Sequence, residues 1–161
     1  MLNVNNLTGF GVGVSSAPAA YATWNPLDKY SSIELSNGNL TLRSTVNYGW
    51  VAARSTVGVA SGKYYWEVTR SGAGVYIAAG ISTATGNLSI LSSGSSGTAA
   101  NECDNGQWYV GLGTATPGTT SSIWTTGILG VALDVDGGTC KLYKDNVLQP
   151  NYIAFTPNTL I

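Results

Sequence analysis

Histidine is missing from the chain altogether. Its absence removes Ser-His-Asp and Cys-His nucleophilic machinery, and the commonest imidazole metal ligand, in one step. Charge is scarce too: 9% of residues are charged, with 7 Lys and Arg against 8 Asp and Glu and a formal net charge of -1. Basic residues scattered singly leave no electrostatic footprint for a phosphate backbone, which argues against a nucleic-acid partner. So little charge also gives weak colloidal repulsion, which suits a protein built into an assembly. Two cysteines are too few for a disulfide framework. Cys140 falls on the Leu142 side of its run and is expected toward the core, whereas Cys103 sits in a polar stretch, so no bridge is expected. No segment approaches the roughly 18 consecutive apolar residues of a membrane span, and Met1-Leu-Asn-Val-Asn-Asn6 lacks a basic segment followed by an apolar one. The chain therefore reads as neither membrane-inserted nor carrying a signal peptide, and the triplets at Asn6, Asn39 and Asn87 read as chance sequons. Helical periodicity is lacking as well, since no window keeps apolar residues at i, i+3, i+4 and i+7.

What the chain has is glycine, aromatics and short apolar runs. Gly numbers 21, Trp 5 and Tyr 9, with Ser and Thr filling the intervals, which is a strand-and-turn composition. A length of 161 residues allows one domain with a sizeable core. Residues 1–21 are rich in Gly, Ala, Ser and Val, carry Pro18 and show no sustained period, and are expected to form an N-terminal arm or edge strand. From Ser32 the expected strands come at short spacing: around Ile33 and Leu35, Leu40 and Leu42 after an Asn37-Gly38 turn, Trp50 to Ala53, Tyr64 to Thr69, and Val75 to Ile81. Residues 82–105 are expected to be a long loop or a weak strand pair, and 111–126 a second polar stretch around Pro117 and Trp124.

The densest signal lies between Gly127 and Asn146. Val131, Leu133 and Val135 alternate with Ala132, Asp134 and Asp136, then Asp136-Gly137-Gly138 supplies residues that tolerate positive φ, and a second alternating run through Leu142 follows. That is strand, turn, strand. Upstream stand Trp24-Asn-Pro-Leu-Asp-Lys29, Leu35-Ser-Asn-Gly-Asn-Leu40 and Gly62-Lys-Tyr-Tyr-Trp-Glu-Val68. Taken in this order, these segments resemble a SPRY domain over roughly residues 22–155. The resemblance implies an all-β, antiparallel two-sheet β-sandwich, the concanavalin A-like jelly roll, occupying 22–161. SPRY domains continue past the hairpin to a further strand, whereas this sequence stops after Phe155-Thr-Pro-Asn-Thr-Leu-Ile161, so the sandwich is expected to be one closing strand short. Val4 to Val14, or a strand from a neighbouring subunit, is expected to fill the slot.

The resemblance further implies a non-enzymatic module that binds through its loops, without a cofactor. Trp66, Leu133, Val135 and Leu142 are the expected core. Tyr48, Trp50, Trp108, Tyr109 and Trp124 lie at or near expected loop ends, where their rings could stack on sugars or anchor a peptide. The same rings could instead close the ends of the core. Low charge and Ser/Thr/Gly-rich loops are similar to the SPRY-like domains of bacteriophage structural proteins. They point to a virion component, a capsid decoration or tail-associated protein, whose partners are other virion proteins or copies of itself in a homo-oligomer. The alternatives are a lectin-like module recognising host glycan and a soluble cytoplasmic location. A carbohydrate-active enzyme fits least, because the acidic runs such enzymes carry on one strand face are missing. Asp134 and Asp136, at i and i+2, could be read as a carboxylate pair for acid–base work or Ca²⁺, and the turn that follows makes a structural role the expected one, with no metal bound. Gly9-Phe-Gly-Val-Gly13 has neither a strand before it nor a helix start after it, and is read as plain backbone rather than a nucleotide loop.

Overall fold

Turn chemistry fixes the local architecture. At Asp145-Asn146 both residues have positive φ, 47° and 66°, the two-residue turn whose twist matches that of paired strands. Asn37, Gly38 and Asn39 likewise have φ of 54°, 61° and 63°, and Leu40 N donates to the Asn37 carbonyl at 3.1 Å to close a second hairpin. The computed structural model describes residues 4–5, 21–46, 51–71, 78–86, 88, 98–102, 108–110, 114–115 and 125–157. Its strands are β1 (Val4–Asn5), β2 (Trp24–Lys29), β3 (Ile33–Ser36), β4 (Thr41–Ser44), β5 (Ala53–Ser55), β6 (Lys63–Arg70), β7 (Ala78–Ser82), β8 (Thr98–Glu102), β9 (Trp108–Val110), β10 (Thr114–Ala115), β11 (Gly127–Asp134), β12 (Thr139–Lys144) and β13 (Val147–Ala154).

The described residues form no helix, and every strand pair is antiparallel, so the fold is all-β. Hydrogen bonding groups the strands into four sheets: a six-stranded sheet in the order β1-β6-β11-β12-β13-β10, the pairs β2-β5 and β3-β4, and the triple β7-β8-β9. The arm contributes an edge strand, with Val4 opposite Val68 and Asn5 opposite Glu67. At the other edge, Thr114 and Ala115 pair with Ala154 and Ile153, so the second polar stretch also carries a strand. Strand β5 starts where the sequence pattern was expected to end one, and β8 lies within 82–105, where a long loop or a weak strand pair was expected. Strand β2 had no alternating signature because it is irregular. Trp24 pairs with Ser55 and Lys29 with Ala53, so the segment around Pro26 bulges out of register, held by Leu27 N donating to Asn25 Oδ1 at 2.9 Å. Pro150 sits at a comparable irregularity in β13, between the pairs Lys141–Tyr152 and Tyr143–Leu148.

The core lies on one face of the six-stranded sheet. Val68, Leu129, Val131, Leu133, Val135, Cys140, Leu142, Ile153 and Phe155 are buried there with Ile81 of β7, and Trp24, Leu42, Val59 and Ala79 pack against them. Trp66 and Tyr64 share the Val68 face of β6 but are only partly buried, so Trp66 sits at the rim of this cluster rather than enclosed within it. Cys140 is a free thiol with no exposure, and burial pushes its pKa up to about 12.

Candidate functional site

The carboxylate pair is committed to the β11–β12 hairpin. Strand β11 ends at Asp134, so Asp136 lies in the turn rather than further along the same strand face. Asp134 Oδ2 meets Lys63 Nζ at 2.7 Å, and its Oδ1 accepts from Gly137 N at 2.8 Å. Asp136 Oδ2 accepts from Gly62 N at 3.1 Å, tying the turn to the start of β6. The hydrogen bond from Lys63, followed by that from Gly137 N, holds the Asp134 carboxyl below its usual range, while the Asp134 hydrogen bond and charge raise Lys63. A general acid needs the opposite shift, so Asp134 is suited to an ion pair and not to proton delivery at neutral pH. The stabilisation from Asp134 is present above the unfolded aspartate pKa of about 3.9 and is lost as pH falls through the lower folded value. That from Lys63 is complete below about pH 10 and is lost as pH rises through its raised folded value. Asp134→Asn is therefore expected to melt below the wild type at pH 7, the two melting temperatures converging as the buffer is taken below about pH 3. Thermal melts across that pH range check this.

A second constellation organises one loop end. Arg54 on β5 donates from Nη1 to Asp28 Oδ1 at 2.7 Å, from Nε to the Thr83 carbonyl at 2.9 Å and to Ser82 Oγ at 3.3 Å, and from Nη2 to the Gly86 carbonyl. Only the planar guanidinium can serve this many acceptors from one position. With Ala52 N donating to the Leu88 carbonyl at 2.9 Å, the bracket fastens residues 82–86 and Leu88 to β2 and β5. Arg54→Ala is expected to cost about 2 kcal/mol in denaturant unfolding, with Arg54→Lys recovering less than half, because several half-buried acceptors lose their donor.

Of the sequence-derived binding candidates, Tyr48, Trp50 and Trp124 lie outside the described residues. Trp108 and Tyr109 have backbone positions on β9, opposite Asn101 and Ala100 of β8, and their side chains lie outside the description.

The outer face of the six-stranded sheet was missed by the sequence pattern. On it lie Tyr65 and Glu67 of β6, Ile128, Gly130 and Ala132 of β11, Lys141 and Tyr143 of β12, and Leu148 and Tyr152 of β13. Tyr65 leans over Gly130, where an added Cβ would overlap its hydroxyl, and meets Tyr143 edge-on with ring centroids 6.5 Å apart at 74°. Its hydroxyl donates to Glu67 Oε1 at 3.0 Å, and burial followed by this bond raises the phenol pKa. Ile128 is 38% and Leu148 52% exposed. The signal for this face was present in the parity of Tyr65 and Tyr143 about Gly130.

Among the described residues no group of three or more Cys, Asp or Glu is placed to hold a metal, and no helix is long and apolar enough to cross a membrane. Compared with protein-family models and with curated proteins, the chain matches none.

Proposed function

We propose that this chain is a non-enzymatic binding and assembly module, a SPRY-like two-sheet β-sandwich that serves as a structural component of a virion, as a capsid decoration or tail-associated protein. The observation that carries the reading is the engagement of Asp134 and Asp136: this candidate pair for acid–base chemistry is occupied by Lys63, Gly137 N and Gly62 N in holding a hairpin. The layered arrangement is supported by Trp24, Leu42, Ala79 and Ile81, which come from three smaller sheets onto one face of the large one. Partners on this reading are other virion proteins or further copies of the chain, and neither nucleic acid nor a cofactor is required. The test is the copy number of the chain in purified particles by quantitative mass spectrometry. A fixed stoichiometry supports the proposal; particles that lack the chain, together with selective capture of the isolated protein on a glycan array, would replace it with the lectin-like reading.

A further inference from the structure

Strand β11 is apolar at every position from Ile128 to Leu133. An antiparallel strand with one face in water alternates apolar and polar residues, and a continuous apolar run marks a strand covered on both faces. Leu129, Val131 and Leu133 account for one face, inside the core. Ile128, Gly130 and Ala132 point the other way, among Tyr65, Tyr143, Tyr152 and Leu148. We propose that this outer face packs against the same face of a second copy of the chain.

Three observations choose that occupant. The Tyr65 and Tyr143 rings stand at 74° to one another, so they present no coplanar platform for the flat face of a sugar. Tyrosine between small and aliphatic side chains is instead the make-up of a protein interface. The charges are balanced: Lys63 pairs with Asp134 at one corner, Lys141 on β12 adds its field to that carboxylate, and Glu67 on β6 completes two charges of each sign. An identical face is therefore not repelled, and Glu67 of one copy can sit beside Lys141 of the other, whereas a strongly charged partner would find nothing to select. The whole chain adds little repulsion at a formal charge of -1. Size then sets the strength. Four strands about 4.8 Å apart and about seven residues long at ~3.3 Å per residue give a flat footprint of roughly 400 Å². This is about half the ~800 Å² per partner of a standard stable interface, so the pair is weak, with a dissociation constant on the order of micromolar or higher.

The proposal deepens the assembly reading and rests on it, but its test uses the intact purified chain in solution. Sedimentation velocity from about 1 to about 300 μM is expected to show a reversible monomer–dimer equilibrium. Leu148→Asp, at an exposed position, is expected to leave only monomer with an unchanged melting temperature. Glu67→Lys and Lys141→Glu are each expected to weaken pairing about fivefold or more, with the double reversal restoring it. A wild-type chain that stays monomeric throughout overturns the proposal. So does a dimer indifferent to Leu148→Asp, or charge reversals that fail to rescue one another. A monomer here leaves the particle stoichiometry, on which the assembly reading stands, untouched.

Discussion

Gly138→Ala is expected to lower the unfolding free energy by about 3 kcal/mol or more. Gly138 has φ of +63°, a left-handed conformation that costs an alanine about 1–2 kcal/mol. The added Cβ would also overlap the Phe155 carbonyl oxygen and press on Pro157 Cδ at 3.2 Å. Neither can retreat cheaply, because Phe155 N donates to the Gly138 carbonyl at 2.8 Å and the Phe155 side chain is buried in the core. Relief means shifting the end of β13, which sacrifices that bond, about 1 kcal/mol, and part of the Phe155 burial. Gly38 is the control. Its φ of +61° is nearly the same, yet nothing lies within 4 Å of the Cβ an alanine would add, so Gly38→Ala should show the conformational penalty alone. Equal losses for the two variants in urea unfolding would mean that the contact with Phe155 carries no energy.

Leu142→Ala is expected to cost about 3 kcal/mol, within the range of roughly 2–5 for a fully enclosed leucine. Leu142 is 1% exposed in the middle of β12, opposite Val131, with Cys140 and Ile153 in the same cluster. Its removal leaves a closed cavity whose walls belong to paired strands and cannot collapse. Trp66 is larger but sits at the rim, so its truncation opens a notch that water enters, and Trp66→Ala is expected to cost less than Leu142→Ala. Denaturant unfolding of both variants at constant m-value decides the order; the reverse order would place Trp66 inside the core.

What the sequence revealed was local. Asp136-Gly137-Gly138 and Asn37-Gly38 marked hairpins because their backbone needs are met by few residue types, and Val131, Leu133, Val135 and Leu142 marked a core face through their period of two. Pairings set by distant residues left no such trace. Nothing in Val4-Asn5 specifies Val68 and Glu67 as partners, and Thr114-Ala115 is too short to carry a period. Strand β2 was hidden by Pro26, which breaks the alternation that the strand needs in order to be read. For the site, reading Ala132 and Asp134 as the polar side of an alternating run obscured an outer face that Ile128, Gly130 and Ala132 make apolar. Arg54 carries no motif at all; its acceptors at Asp28, Ser82, Thr83 and Gly86 come together only in space.

Cys140 turns the centre of the large sheet into a clock. Thiol reagents attack the thiolate, and a thiol with no exposed surface and a pKa pushed up to about 12 offers almost none at neutral pH. In a Cys103→Ser background, the thiol becomes modifiable only while β12 is parted from its neighbours β11 and β13. When reclosing outruns the reagent, the labelling rate at neutral pH reports the population of that open state; with reagent in excess it reports the opening rate itself. One buried sulfur thus gives the lifetime of the sheet without any added probe.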